Sequence, residues 1–181
     1  LNLELEELSS EVVGAQLGQD ALKGSLIAGI IGLAIVCVFM CWVYLLPGLA
    51  SSLALILYTE LILILLNAFD ITLTLPGIAG IILGIGMAVD ANVIIFARVK
   101  EELTAGKSVH ASLKSGFQKA MSAIVDGNIT TLIAAGVLWL RGSGTVKGFA
   151  QTLALGIVVS MFTALVITRL IIFAFYGAGI H

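Results

Sequence analysis

Five apolar stretches, each long enough to cross a bilayer, leave this chain few ways to fold. They run over roughly 23–46, 48–69, 76–97, 119–140 and 149–173. A helix rising ~1.5 Å per residue needs ~20 residues to cross a hydrocarbon core of ~30 Å. Inside that core each backbone N–H and C=O must find its partner within the protein, and a helix meets this demand within one segment. Composition agrees: 60% of the 181 residues are hydrophobic, 11% are charged and the mean hydropathy is +1.15, far outside the range of soluble domains. The fold class expected is an all-α membrane protein with five transmembrane helices.

Between the first two stretches, Pro47-Gly48 turns the chain so tightly that the two spans must form an antiparallel hairpin. Ahead of them, LNLELEEL alternates apolar and acidic residues with period two, as a half-exposed strand does. The reading is a short extracytoplasmic β-strand remnant at the end of a domain that lies outside this fragment. The chain therefore divides into 1–21 (domain end and linker), 22–175 (transmembrane domain) and 176–181 (tail). The longest connection, 98–118, carries Arg98, Lys100, Lys107 and Lys114, whereas residues 1–21 hold five acids and no base. By the positive-inside rule that connection is cytoplasmic, the N-terminus extracytoplasmic and the C-terminus cytoplasmic. Val109, Leu113 and Phe117 recur on one face of the connection, predicting an amphipathic cytoplasmic helix over about 107–118 that runs into the fourth span.

Three acids interrupt the spans: Glu60, Asp90 and Asp126. A carboxylate at a helix centre costs about 2.5 to 3.5 kcal/mol on insertion, so each is a candidate functional group facing protein or water. Asp90 lies eight residues before Arg98 and Asp126 seven after Lys119, which puts both at a similar depth of about 10 to 12 Å. Glu60 sits nearer the outer half and has no counterpart at its level. Around these acids, Gly80, Gly84 and Ala88 recur every four residues and let another helix approach closely, with Gly86 one turn from Asp90. Ser122, Asp126 and Thr130 make a polar stripe on the fourth span, and Thr152, Gly156, Ser160, Ala164 and Thr168 a small and polar face on the fifth. Asp90 and Asp126 are the expected proton-carrying pair. Asn92, Asn128, Thr130, Gly84, Gly86, Gly156 and Ser160 are the supporting polar or packing residues, and Glu60 is a further possibility. No Lys or Arg lies at the depth of the aspartates, so a countercharge must come from another chain; without one, burial raises a carboxylate pKa toward neutrality.

Several classes are excluded by what is missing. Cys37 and Cys41 lie one helical turn apart in an apolar stretch, poor geometry for a disulfide and two ligands short of a zinc site. No metal site is expected. No basic tract suggests nucleic acid, and RGSGTVKGF lacks the spacing of a phosphate-binding loop. An intramembrane aspartyl protease would carry GxGD, but Met87, Ala88 and Val89 separate Gly86 from Asp90. No enzyme is expected.

Three blocks narrow the field further. GMAVDANVIIFARVKEEL, GFQKAMSAIVDGNITTLIAA and GSGTVKGFAQTLALGIVVSMFTALVITRL resemble, in order and spacing, the SecD family of the Sec protein-export machinery, within the resistance-nodulation-division superfamily. VGAQLGQDALKGSLIAGIIG and TLPGIAG share the resemblance, which covers nearly the whole chain. It implies spans two to six of a six-span half, preceded by a large extracytoplasmic domain, in the cytoplasmic (inner) membrane. It also implies a complex with SecF, work beside the SecYEG translocon and YajC/YidC-type accessory proteins, and preproteins as substrate. Asp90, in MAVDAN, matches the family's proton-relay aspartate, and Asp126 the acid of its next block. Protons are then the coupling ion and no cofactor is expected. The family usually carries Glu at Ala97, Ala at Gly127 and Pro at Thr145. A proton-coupled drug or lipid exporter of the same superfamily is the alternative; a passive scaffold would have no need of Asp90.

Overall fold

The structure is a computed structural model that describes residues 15–177, with side chains described from Asp20 onward. The expected strand within 1–21 lies outside the described residues. Five α-helices follow one another: α1 (Ala15–Ala68), α2 (Leu75–Thr104), α3 (Val109–Arg141), α4 (Thr145–Phe162) and α5 (Thr168–Gly177). A π-helical turn, Thr163–Ile167, joins α4 to α5, so that Thr145–Gly177 acts as one long element. Among the described residues there is no strand, and four helices are long and apolar enough to cross a membrane.

The first two apolar stretches share α1, which is why the long helices number four rather than the five expected. α1 is nevertheless no straight rod. Pro47 removes a backbone donor and crowds the preceding turn, and Leu45, with φ 51° and ψ −116°, leaves helical geometry altogether. In a continuous helix Cys37 and Ser52 would be about 22 Å apart. Instead the Ser52 hydroxyl lies 3.5 Å from both the Cys37 carbonyl and the Cys41 Sγ. At Gly48 any Cβ would strike the Met40 carbonyl, so only glycine fits this reversal. Two antiparallel arms, 15–44 and 46–68, result.

Helix ends overrun the apolar limits. α1 starts at Ala15 rather than near 23, α2 continues to Thr104 rather than 97, and the long connection shrinks to a turn at 105–108. Residues such as Lys100, Glu101 and Glu102 extend a helix as readily as leucine does, so hydropathy marks where a bilayer stops and not where a helix stops. The amphipathic segment expected from 107 begins at Val109 and is the first part of α3, with Leu113 and Phe117 buried. Thr74 caps α2 by accepting the Gly77 N–H at 3.1 Å, and Gly106, at φ 84°, ends it in the left-handed region that glycine tolerates.

Burial runs opposite to a soluble protein. Trp42 is 83% exposed, Leu140 72% and Leu170 65%, while Thr152, Ser160, Thr163 and Thr168 are at most 2% exposed. Lipid tails are as apolar as leucine, so the helices gain by packing small and hydrogen-bonding surfaces inward. α2 is the central element, packed on α4, α3 and α1. Its Gly77, Gly80 and Gly84 face Gly148, Thr152 and Gly156 of α4, and a Cβ at Gly80 would lie 2.5 Å from the Thr152 Oγ1. The small-residue faces of the third and fifth stretches therefore meet. Tyr58, on the second arm of α1, completes the crossing: its hydroxyl fills the space that a Cβ at Gly84 would need.

Candidate functional site

Asp90 lies in the middle of α2, flanked by the buried Val89, Ala91 and Asn92, yet is itself exposed. Helical phase explains this. Asn92 turns toward α5, where it meets Thr168, and Asp90 turns toward the opening between α2 and α3. There it lines a groove of about 190 Å³ with Met87 and Ile94 of its own helix and Gly127, Asn128 and Thr131 of α3. Asn128 donates one amide N–H to the Ile124 carbonyl at 2.8 Å and the Thr131 hydroxyl donates to the Gly127 carbonyl at 3.2 Å, which leaves the second Asn128 N–H and both side-chain oxygens for other partners. No basic residue lines this groove.

Asp126 is not part of it. Two residues, or about 200° of helical turn, separate Asp126 from Asn128, so the two point in nearly opposite directions. With Ser122 and Thr130, Asp126 forms an exposed stripe on the outside of α3, where the Thr130 hydroxyl donates to the Asp126 carbonyl at 2.7 Å. The common depth of the aspartates does not become a common cavity within this chain. Gly86 also departs from the packing role expected of it: it is exposed and a Cβ there would meet nothing within 4 Å. Gly84, Gly156 and Ser160 do pack, all three buried, with Ser160 donating to the Ile157 carbonyl at 2.8 Å. Glu60 is exposed on the second arm of α1 and does not line the Asp90 groove.

Asn92 supports the site from behind. Its Oδ1 accepts a buried 3.0 Å hydrogen bond from the Thr168 hydroxyl, which also reaches the Thr163 carbonyl at 3.2 Å across the π-helical turn. One bond thus ties the residue two places beyond Asp90 to the irregular turn of the last long element. π-Turns inside α-helices recur at functional positions, because the extra residue re-aims the side chains that follow.

The sequence model of the protein family described as protein export membrane protein SecD/SecF, C-terminal, matches residues 1–177. The chain belongs to this family. It is 52% identical over 179 residues to the protein translocase subunit SecD of Acidaminococcus fermentans, covering 99% of this chain and 43% of that one. With the protein translocase subunit SecD of a Synechocystis species it shares 52% identity over 169 residues, 93% of this chain and 36% of the relative. Among solved structures it superposes on SecDF of Thermus thermophilus, a translocon-associated membrane protein, with a TM-score of 0.90 and 40% identity. That match covers 93% of this chain and 24% of the other. The resemblance to SecD read from the sequence blocks holds, and the chain is a multi-pass membrane protein that spans less than half the length of its curated relatives.

Two features of this chain escape a reading by hydropathy. Tyr58 is fully buried at the α1–α2–α4 crossing, and its hydroxyl finds no hydrogen-bond partner among the described residues. Glu102, near the end of α2, is 4% exposed and forms ion pairs with both Lys107 and Lys119, which joins the end of α2 to the start of α3. Hydrogen bonds from Lys107 and Lys119, with help from Ser115, hold its carboxyl down to about 2 against an ordinary 4.5. The signal was present in the sequence as one of only two acids in the basic stretch 98–119, but its partners lie five and seventeen residues away and only the turn at 105–108 brings them together.

Proposed function

We infer that the chain is the transmembrane part of a SecD-type protein translocase subunit in which Asp90 takes up and releases protons during preprotein export. The observation that carries the reading is the groove: an exposed carboxylate in the middle of an apolar helix, opening between α2 and α3 beside Asn128 and Thr131, with no base in reach. A fixed negative charge there is costly, so the group alternates between its neutral and charged forms as access and partners change. A proton crossing ~150 mV releases roughly 3.5 kcal/mol, enough to bias a two-state helix arrangement by a few hundredfold.

Around this centre the two arms of α1 cross separately, each longer than the ~20 residues that a bilayer needs, which makes five crossings. The N-terminus is then extracytoplasmic and the C-terminus cytoplasmic, in the inner membrane. SecF supplies the facing half. It covers the Ser122, Asp126 and Thr130 stripe, which is too polar to face lipid, and brings an arginine to the level of Asp90. Asp126 has a supporting role from that interface, and the SecYEG translocon and YajC/YidC-type proteins receive the motion. The likeness to SecDF, a translocon-associated membrane protein, supports this reading over a drug or lipid exporter.

Replacing Asp90 by Asn in the full-length protein tests it. The amide is nearly isosteric and carries no charge, so expression and assembly with SecF persist. Export driven by the proton-motive force and any proton conductance are lost, while ATP-driven translocation continues. An Asp90→Asn protein with full gradient-dependent export would sink the proposal.

A further inference from the structure

At the end of the bundle that carries the α2–α3 turn, a second groove opens between α3 and α5. Its volume is about 500 Å³ and it is lined by His110 and Lys114 of α3 together with Val166, Arg169, Leu170 and Phe173 of the last long element. Aromatic contacts fix its walls: the Phe173 ring stands edge-on to His110 at 5.4 Å, and the Arg169 guanidinium lies 5.8 Å from the same ring's centre. Lys114 and Arg169 thus converge from two helices, and neither forms an ion pair with a described residue. The nearby acids are taken: Glu101 pairs with Arg98, and Glu102 with Lys107 and Lys119. Ser108 makes no side-chain cap for α3, so the first N–H groups of that helix, His110 among them, also look for an acceptor.

The floor and rim differ from the walls. Leu170 is 65% exposed and Val166 41%, so an apolar track leads out of the cationic groove along the surface that meets lipid. A site with cations at its head and aliphatic side chains at its tail has the polarity of a phospholipid lying along a transmembrane helix. We propose that this groove holds the headgroup of one anionic phospholipid, its phosphate between Lys114 and Arg169 and its acyl chains over Val166 and Leu170. The inference rests only on the bilayer placement of the preceding section and is independent of Asp90.

A test uses the full-length protein purified in non-ionic detergent and titrated with phosphatidylglycerol or phosphatidylcholine, native mass spectrometry counting the lipids retained. The wild type should retain one phosphatidylglycerol that phosphatidylcholine does not replace. Each basic residue near a membrane surface is worth ~1 kcal/mol toward anionic lipid, about five-fold in affinity, so Lys114→Gln should weaken that lipid about five-fold and Lys114→Gln/Arg169→Gln about twenty-five-fold. Lys114→Arg/Arg169→Lys should restore it, and Arg141→Gln at the opposite end should leave it unchanged. Millimolar inorganic phosphate, which lacks the acyl chains, should not displace it. Equal retention of the two lipids, displacement by inorganic phosphate, or an unchanged affinity in Lys114→Gln would each overturn the proposal. Since Lys114 is exposed, the single variant remains informative even if the double variant does not fold.

Discussion

Gly116→Ala is the sharpest test of the packing, because two physical effects of opposite sign compete at one atom. Helix propensity alone makes the change favourable by up to ~1 kcal/mol, since alanine loses less backbone entropy in α3. The tertiary structure opposes it. A Cβ at Gly116 would lie 2.8 Å from both the Cα and the N of Val99 and 2.5 Å from its Cγ2, where ordinary contact begins at 3.4 Å. Because two of these three atoms are backbone, no rotamer change relieves the overlap, and α2 and α3 must move apart by about 0.6 Å, the gap between 2.8 and 3.4 Å. That movement loosens Leu113, Phe117 and Ala120, all buried in the same cluster as Ile95, Phe96 and Val99, and strains the Glu102 ion pairs. Overpacking of this kind costs about 1 to 3 kcal/mol, so against the full propensity gain the net effect is a destabilisation of up to about 2 kcal/mol. Thermal unfolding of the purified protein in detergent reads the sign directly. Gly32→Ala and Gly136→Ala, where a Cβ meets nothing within 4 Å, isolate the propensity term and should be neutral or mildly stabilising. If Gly116→Ala is as stable as those controls, the α2–α3 approach described here is wrong.

Other outcomes follow from single contacts. Glu102 has a depressed carboxyl, so its contribution is complete above about pH 4.5 and fades as pH falls toward about 2; hydrogen exchange at 105–112 should quicken over that interval, and Glu102→Gln should abolish the acid dependence while raising exchange at neutral pH. An identical pH profile in the variant would show that the ion pairs do not hold the turn. Tyr58→Phe removes a buried hydroxyl that has no partner among the described residues, so stability should hold or rise by up to ~1 kcal/mol; a large loss would reveal a bond that the hydroxyl makes in the full assembly. A cysteine at Ser108 should react with an impermeant thiol reagent only from the cytoplasmic side, and labelling from outside would invert the proposed orientation. Asp126→Asn should reduce gradient-driven export less than Asp90→Asn, since Asp126 lies off the groove; the reverse order would make the α3 stripe the principal proton site.

Much of this chain was written in local pattern. Apolar runs of membrane length dictate helices whatever the neighbours do, because no other backbone arrangement pairs its own polar groups within one segment. Pro47-Gly48 forces a reversal by removing a donor and a side chain at adjacent positions. The four-residue repeats of Gly80 and Gly84 and of Thr152 and Gly156 mark the faces that meet, since only small residues allow such an approach. Asp90 stands out because nothing about packing requires a carboxylate there. Sequence could not say which way each polar side chain points once the helices associate. Depth along a helix follows from counting residues, but azimuth depends on which of several small faces is covered, and that is settled by the whole set of helix contacts. So Asp90 and Asp126, level in depth, turn to different surfaces, and Gly86 stays uncovered while Gly84 is pinned against Tyr58. The Glu102 cluster, the Asn92–Thr168 bond and the groove of Lys114 and Arg169 belong to the same class, each made by residues from different helices whose proximity only the assembled bundle decides.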